Sequence, residues 1–250
     1  MNKNNYSSLS SIVYDFTKPP GTNSDGDIEF YKSYLLPLEG KILEAGVGNG
    51  RMSIPLLKYG LSVDGIDISK EMLDIYKYNL DKQKLSGKII NMNLKEYVSD
   101  NYYEAIIMPT GSVCMIEEVE DLKIILNNFY KSLSNNGFIL IDFIYPTTFK
   151  PGSYHKTNIQ LDSENSIELN INHKSIDWSK QVAYSTNQYI QFQNGKEIKT
   201  EIQNFNLRWY SENEIKMLAE KAGYKSIELI KNYNKKRVLN LNTITLFAKK

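Results

Sequence analysis

Three alternating glycines form the part of this sequence whose residue types are best suited to hold a ligand. They stand in the stretch Glu44-Ala45-Gly46-Val47-Gly48-Asn49-Gly50-Arg51, which begins at the end of a short apolar run. Glycine adopts positive φ without strain and lets a ligand approach the backbone closely. A helix that begins after such a loop presents unpaired N–H groups to an anionic or polar group. The pattern therefore predicts a ligand-binding loop between a first strand and its helix.

The spacing of these glycines distinguishes between classes of cofactor. A dinucleotide-binding loop has the pattern Gly-x-Gly-x-x-Gly/Ala, in which the third small residue permits close packing of helix on strand. Arg51 occupies that third position here. No Gly-Lys-Ser or Gly-Lys-Thr follows, so a phosphate-binding P-loop is excluded. A nicotinamide-dependent oxidoreductase is disfavoured by Arg51 and by the spacing.

A carboxylate follows at the end of the next predicted strand. Asp67 closes the run Val63-Asp64-Gly65-Ile66-Asp67 and is followed by Ile68-Ser69 and then Lys70-Glu71-Met72-Leu73. The two oxygens of a carboxylate can accept hydrogen bonds from both hydroxyls of a ribose. Asp67 is therefore a candidate for binding the sugar of a nucleoside.

These two stretches resemble the first and second motifs of the class I S-adenosylmethionine-dependent methyltransferases. The resemblance implies S-adenosylmethionine as cofactor and S-adenosylhomocysteine as product, with Asp67 on the ribose. It also implies that Glu44 faces the methionine end, where an ammonium and a sulfonium favour nearby negative charge. The implied cofactor-binding residues are Tyr14, Glu44, Gly46, Val47, Gly48, Gly50, Arg51, Asp67, Ile68, Asn93, Leu94, Met108 and Pro109.

The resemblance extends along most of the chain and is weakest at 147–205. Asn93 stands where the family often has an Asp that receives the adenine amino group. The run 105–112 resembles the fourth strand and following loop of the small-molecule methyltransferases, and 133–142 resembles the passage into the fifth strand. Tyr14-Asp15 and Asp27–Tyr31 match an N-terminal helical cap of the same subgroup.

The acceptor side of the site departs from that subgroup. Several amine-methylating relatives have a His at the position of Met115, and this chain has none on that loop. Either a base lies elsewhere, or the acceptor arrives neutral and needs none. Tyr14 is the catalytic candidate, with an N-terminal packing role as the alternative. The expected substrate-binding residues are Ser112, Met115, Tyr145, His155 and Arg208. An exposed loop role for His155 and a structural ion pair for Arg208 are the alternatives.

The elements that must position these residues alternate between strands and helices. Short apolar runs predict strands, and an apolar stripe with a period of 3.6 residues predicts helices between them. Such alternation is typical of a parallel sheet with helices on both faces. The predicted strands are Lys41–Glu44, Ser62–Asp67, Lys88–Asn91, Ala105–Met108 and Phe138–Phe143, and the predicted helices are Arg51–Lys58, Lys70–Lys84 and Val119–Leu133.

After the fifth strand the apolar period changes to two, which predicts an antiparallel insertion. Asn194-Gly195 suits a type I′ turn between two of its strands. Ser211 to Glu214 has capping-box spacing, with Gly223 as the residue that ends the helix, and two closing strands follow at Ser226–Ile230 and Thr243–Ala248.

The predicted fold is a doubly wound, mostly parallel seven-stranded α/β sheet (a Rossmann-like methyltransferase fold) with an inserted antiparallel β lid. Residues 1–40 are expected to form a helical cap, 41–146 with 208–250 the cofactor-binding domain, and 147–207 a lid or dimer surface. A homodimer formed through this insertion is therefore one expectation.

Composition limits the function classes further. The chain has 250 residues, and its 30 Lys and Arg nearly balance its 29 Asp and Glu. Such a balance argues against a dedicated nucleic-acid binder, although RNA as a substrate stays open. Cys114 is the only cysteine, the two histidines are isolated, and no run resembles a membrane helix. We therefore expect no metal site, no membrane contact and a cytoplasmic location.

Three functions remain in competition. The preferred one is methyl transfer to the N or O atom of a small-molecule acceptor. An RNA methyltransferase, acting for example on tRNA, is the second, with the basic stretch at Lys231, Lys235, Lys236 and Arg237 as a minor RNA-contact hypothesis. A non-catalytic S-adenosylmethionine-binding protein is the third. A basic groove beside the cofactor would favour RNA, and a closed, Tyr-lined pocket under the insertion would favour a metabolite.

Overall fold

The structure is a computed structural model that describes residues 6–234 and 241–250. Its central element is a seven-stranded sheet in the order β11-β12-β5-β4-β1-β2-β3. The strands are β1 (Lys41–Ala45), β2 (Ser62–Asp67), β3 (Ile89–Asn91), β4 (Tyr103–Met108), β5 (Leu133–Ile144), β11 (Lys225–Lys231) and β12 (Thr243–Lys249). The basic residues Lys235, Lys236 and Arg237 lie outside the described residues.

The five strands β1 to β5 pair with one another in parallel. β1 lies between β2 and β4, β3 pairs with β2, and β5 pairs with β4, all in parallel. β12 closes the sheet in the antiparallel sense against β5, and β11 pairs antiparallel with β12. The strand order reverses at β1, between β2 and β4, and in open α/β sheets ligands bind outside the strand ends at such a switch point. The predicted mostly parallel seven-stranded sheet is confirmed.

The buried strands supply side chains to both faces of the sheet. Successive residues point to opposite faces, so Ile42 packs into one apolar cluster and Leu43 into the other. Ile106 and Ile107 divide between the two clusters in the same way. Helices cover both faces, and these are α2 (Asp27–Leu35), α3 (Ser53–Lys58), α4 (Lys70–Gln83), α5 (Val119–Ser132) and α6 (Glu212–Lys221).

Local signals place the start of α6 and one turn of the chain as predicted. At the start of α6 the Ser211 N–H donates to the Glu214 carboxylate at 2.8 Å, and the Glu214 N–H donates to Ser211 Oγ at 3.3 Å. This is the predicted capping box. Asn194 and Gly195 both have positive φ, 49° and 74°, as the predicted turn requires.

A second, antiparallel sheet follows β5. It has five strands in the order β10-β8-β7-β6, and β9 pairs with β8. The strands are β6 (Tyr154–Gln160), β7 (Asn165–Asp177), β8 (Val182–Gln193), β9 (Lys196–Asn204) and β10 (Leu207–Arg208). One face packs on helix α1 (Ser8–Thr17), through Leu9 and Val13. The predicted antiparallel insertion is therefore present, and it lies against the N-terminal helix.

Buried polar groups attach the N-terminal helices to the large sheet. The Arg51 guanidinium donates to the Asp27 carboxylate at 2.6 Å and to the Thr22 carbonyl at 2.6 Å. Both charged partners are buried, so each compensates the other in a low dielectric. The segment between α1 and α2 is thus held on the glycine loop. No helix in the described part of the chain is long and apolar enough to span a membrane.

Candidate active site

The glycine loop turns sharply at the end of β1. Gly46, Gly48 and Gly50 all have positive φ, 71°, 56° and 84°. The N–H groups of Gly46 and Val47 donate to the Ile66 carbonyl of β2 at 2.8 and 3.0 Å, which holds the turn against the neighbouring strand. A Cβ built on Gly48 would meet nothing within 4 Å. This glycine therefore leaves open space at the edge of the sheet.

Asp67 is fixed beside this turn at the end of β2. Its Oδ2 accepts from the Gly48 N–H at 2.9 Å, and its Oδ1 accepts from the Ser69 N–H at 2.9 Å. Burial raises the pKa of this carboxyl, although the backbone hydrogen bonds work in the opposite direction. Each carboxylate oxygen has a further lone pair. Asp67 can therefore accept two more donors from a ligand in the crevice.

Glu44 is a buried carboxyl at the end of β1. It is 2% exposed, and its Oε2 has no hydrogen-bond partner among the described residues. Burial raises the pKa of Glu44 to about 8, against the opposing effect of the Arg51 guanidinium. A buried carboxyl with an unpaired oxygen is costly unless a ligand satisfies it. Glu44 can supply negative charge to a cationic group near the loop.

Asp142 supports the loop that follows β4. Its Oδ2 accepts from the Thr110 N–H at 2.8 Å and from the Tyr233 hydroxyl at 2.7 Å, and its Oδ1 accepts from Thr245 Oγ1 at 2.7 Å. Thr110 has a φ of 52°, an unfavourable value for a residue with a branched side chain. The carboxylate thus holds a strained backbone position beside the site.

A cavity of about 560 Å³ lies over these strand ends. Residues from the ends of β1, β2 and β4, from α1, and from the chain after β9 line it together. The lining residues include Tyr6, Tyr14, Lys18, Gly46, Gly48, Asp67, Ile68, Asn93, Leu94, Lys95, Met108, Thr110, Ser112, Met115, Glu117, Glu118, Asp121, Phe205 and Leu207. Both the glycine loop and the second sheet therefore border one space.

The structure brings together ten of the residues predicted from the sequence. Those in the cavity wall are Tyr14, Gly46, Gly48, Asp67, Ile68, Asn93, Leu94, Met108, Ser112 and Met115. The others are not among the described lining residues, and these are Glu44, Val47, Gly50, Arg51, Pro109, Tyr145, His155 and Arg208. For all of them, contact with cofactor or substrate stays a prediction.

Two of the loop residues outside the lining have packing roles. Val47 is 3% exposed and packs with Ile54 and Leu73. A Cβ on Gly50 would lie 2.3 Å from Cδ2 of the buried Tyr76 ring. The Tyr76 ring of α4 thus leaves no room for a side chain at the third glycine of the motif.

Three predicted acceptor residues are not among the described residues that line the cavity. The Tyr145 hydroxyl donates to the Tyr210 carbonyl at 2.6 Å, and Arg208 donates from Nη1 to the Glu117 carbonyl at 3.2 Å. His155 is exposed and lies in β6, opposite Ile171, so its placement in a loop was wrong. The preceding segment has few apolar residues, and the strand is formed by pairing with β7. His155 and His173 rings lie 5.4 Å apart.

Sequence reasoning missed several lining residues. Tyr6 and Lys18 flank α1, while Phe205 and Leu207 follow β9, and Glu117 stands just after Met115. The position of Glu117 in the loop after β4 was the available signal, because such loops meet at the switch point. Tyr6 and Phe205 gave no local signal, since only the contact between α1 and the second sheet brings them to the cavity. Within residues 6–234 and 241–250, no three His, Cys, Asp or Glu side chains group as metal ligands.

Comparison with known families gives a match in the region of the glycine loop. A family model described as a methyltransferase domain matches residues 42–137. A ubiquinone biosynthesis O-methyltransferase of Pelagibacter ubique is 31% identical over 101 residues, which are 40% of each chain. The chain spans about two-fifths of the length of the curated relatives it matches, 41% for the first and 43% for the second.

Two solved structures share the fold over nearly the whole chain. An S-adenosylmethionine-dependent methyltransferase from Clostridium acetobutylicum has a TM-score of 0.76 and 16% identity, with 96% of each chain covered. The sugar N-methyltransferase KedS8 from Streptoalloteichus has a TM-score of 0.77 and 13% identity, with 98% of this chain and 94% of that chain covered. Residues 42–137 are thus similar to a methyltransferase domain, and the chain shares its fold with these two solved methyltransferases.

Proposed function

We propose that this protein transfers a methyl group from S-adenosylmethionine to the N or O atom of a small-molecule acceptor. The observation that carries the proposal is the pairing of Asp67 with the open glycine turn. The Gly48 N–H holds one carboxylate oxygen at 2.9 Å, and both residues line the same cavity. The relatives named above include an O-methyltransferase and a sugar N-methyltransferase, which makes both acceptor atoms reasonable.

The residues of the cavity, together with the buried Glu44 next to the glycine loop, fit the cofactor chemically. Asp67 would hold the ribose hydroxyls, and the turn at Gly48 leaves room for the ligand against the backbone. The unpaired Oε2 of buried Glu44 would be compensated by the cationic methionine end. Asn93 would accept the adenine amino group through its amide oxygen. When bound, the cofactor supplies a methyl group already activated on a sulfonium, so the protein's main tasks are orientation and exclusion of water.

The character of the wall favours a small acceptor over RNA. Four carboxylates border the cavity, Asp67, Glu117, Glu118 and Asp121, against two lysines, Lys18 and Lys95. Lys95 is paired with Asp121 at 2.9 Å, which reduces its attraction for phosphate. An RNA-binding groove requires an excess of positive charge along the backbone path. Tyr6 and Tyr14, just before and within α1, and the residues after β9 instead enclose the space on the side of the second sheet.

Ligand-dependent thermal stability tests this proposal. S-adenosylmethionine and S-adenosylhomocysteine should each raise the melting temperature with increasing concentration, because a ligand that binds only the folded state stabilises it by mass action. NAD at the same concentrations should leave the transition unchanged. Stabilisation by NAD alone would contradict the proposed cofactor. Turnover should then be sought with amine and hydroxyl acceptors, with tRNA as the competing substrate.

Cofactor affinity should depend on pH through Glu44. Burial holds the pKa of Glu44 at about 8, so the carboxyl is mainly protonated at neutral pH without ligand. A cationic ligand end favours the ionised form, so affinity for S-adenosylhomocysteine should increase between about pH 6 and about pH 8, by at most about tenfold per unit, and then level off. Calorimetry in buffers of different ionisation enthalpy would detect the released proton. Glu44→Gln should abolish this dependence, and an unchanged slope would exclude Glu44 as its source.

Turnover should fall when the Tyr14 hydroxyl is removed. Burial raises the pKa of Tyr14, while the nearby Arg51 guanidinium works in the opposite direction, so the phenol is neutral at neutral pH. A neutral phenol can act as a dipole beside the transferred methyl group or beside the acceptor. We expect Tyr14→Phe to lower kcat by about tenfold or more with little change in cofactor affinity. Unchanged kcat would leave Tyr14 as a packing residue only.

A further inference from the structure

Glu201, on β9 of the second sheet, binds the first turn of helix α1. Its Oε2 accepts from the Leu9 N–H at 2.8 Å and from Ser8 Oγ at 3.3 Å, and its Oε1 accepts from the Ser10 N–H at 3.1 Å. The N–H groups of a first turn have no partner within their helix. The first turn of α1 contains no acidic residue. Glu201 therefore supplies both the acceptors and the negative charge that stabilise this end of α1.

The ionised form of Glu201 is the one that makes these contacts. Burial would raise the pKa of this carboxyl, but the hydrogen bonds from Ser10, Leu9 and Ser7 together lower it. A carboxylate that accepts from backbone N–H groups makes charge-assisted hydrogen bonds, which are stronger than those between neutral groups. This contact joins residues that are far apart in the sequence, so it forms only in the folded protein.

The other end of α1 is attached to the glycine loop. Asp15 Oδ1 accepts from Asn49 Nδ2 at 2.8 Å and from Asn79 Nδ2 at 3.0 Å. Asn49 Nδ2 also donates to the Lys18 carbonyl at 2.9 Å. Asn49 is one of the residues between the motif glycines, and it is fully buried. Helix α1 therefore connects the cofactor loop at one end with Glu201 of the second sheet at the other.

The aromatic wall of the cavity depends on this arrangement. Tyr6 lies just before the residues that Glu201 binds, and its ring centroid is 5.3 Å from that of Tyr14 and 6.5 Å from that of Phe205. All three rings line the cavity. Two of them belong to the α1 segment, and Phe205 follows Glu201 closely in the chain. A shift of α1 against β9 would move the first two rings relative to the third.

We propose that Glu201 is a positioning residue, which holds α1 on the second sheet and thereby preorganises Tyr6 and Tyr14 in the wall of the cofactor cavity. The inference rests on the proposed function, because it assigns the cavity to S-adenosylmethionine. Glu201 does not border the cavity among the described residues, so its effect on the ligand passes through α1. When α1 is released, only the fraction of molecules with α1 in place binds the ligand at full strength.

Calorimetric binding of S-adenosylhomocysteine to the full chain tests the inference. Glu201→Gln, which keeps the shape but removes the charge, should weaken binding about tenfold if α1 is then in place about a tenth of the time. Glu201→Asp keeps the charge with a shorter reach and should have a smaller effect. Glu197→Gln is the matched control, because Glu197 is exposed on the same strand and its carboxylate accepts from Thr200 Oγ1 at 2.8 Å. It should bind as the unmodified protein does.

A double-mutant cycle separates positioning from a general loss of stability. In a background that carries both Tyr6→Ala and Tyr14→Ala, the weakening caused by Glu201→Gln should largely disappear, because both rings that the α1 segment places are already absent. Hydrogen exchange of the Leu9 and Ser10 amides in the ligand-free protein should accelerate in Glu201→Gln and stay unchanged in Glu197→Gln. Together these results would support the inference.

The contrary outcomes are distinct. If the unmodified protein binds S-adenosylhomocysteine and Glu201→Gln binds it equally well, the inference is wrong while the proposed function stands. An equal loss of affinity in both backgrounds would also overturn it, since the effect would then pass through neither Tyr6 nor Tyr14. If the unmodified protein does not bind S-adenosylhomocysteine at all, the proposed function fails and the inference fails with it.

Discussion

Asp67→Ala is expected to weaken binding of S-adenosylhomocysteine by about 10- to 100-fold, or about 1.4–3 kcal/mol. The substitution removes two acceptor atoms that the ribose hydroxyls would use, and those hydrogen bonds are charge-assisted. It also leaves the N–H groups of Gly48 and Ser69 without the partners they have now, so the turn loses its brace. Isothermal titration of both proteins would measure the difference.

The matched control for this prediction is Asp74→Ala. Asp74 lies on α4 and its carboxylate pairs with Lys70 at 2.6 Å on the surface, with 63% of the side chain exposed. Exposed ion pairs of this kind contribute little to stability, and Asp74 is not among the described residues that line the cavity. Its removal should leave affinity unchanged. Equal affinity of Asp67→Ala and the unmodified protein would remove Asp67 from the binding site.

The second large effect is a contrast between two glycines of the same loop. Gly50→Ala should destabilise the fold by about 3 kcal/mol or more, because it combines positive φ with overpacking of a filled core. The new Cβ would lie 2.3 Å from Cδ2 of Tyr76, which is fully buried. Gly48→Ala has the same backbone strain but open space around its Cβ. It should cost only about 1–2 kcal/mol of stability.

Ligand binding should rank the two variants in the opposite order. The methyl group of Gly48→Ala would project into space beside Asp67, where the ligand approaches the backbone, so affinity should fall strongly in a protein that remains folded. Urea unfolding and calorimetry on both variants would separate the two effects. Equal stabilities for the two alanine variants would show that Tyr76 does not determine the third glycine.

Much of the fold could be predicted because local chemistry and tertiary structure agree. Ile42, Leu43, Ile106 and Ile107 are apolar in succession, as strands buried on both faces require. The Ser211 capping box encodes the start of α6 within a few residues. Such signals do not depend on distant parts of the chain. The motif around Asp67 could be interpreted for the same reason, since loop and carboxylate belong to adjacent strands.

The remainder of the site could not be predicted from the sequence, because it depends on contacts between residues that are far apart in the chain. Arg51 occurs within the glycine motif, yet its guanidinium forms an ion pair with the Asp27 carboxylate. A buried cation needs a buried anion as its partner. Tyr6 and Phe205 are about 200 residues apart in sequence and meet only through α1 and the second sheet. Asp142 interrupts an apolar strand, and nothing local indicates that it holds Thr110.

A crystal structure of the protein with S-adenosylhomocysteine would show whether the glycine turn and Asp67 hold the cofactor. We expect the adenosine ribose against the Asp67 carboxylate, with the ligand passing over Gly48 and its methionine end toward Glu44. The acceptor space should then lie between the ligand and the wall formed by Tyr14 and Met115. Finding the nucleoside elsewhere on the protein, or this crevice filled by side chains in the presence of saturating ligand, would contradict the proposed cofactor site.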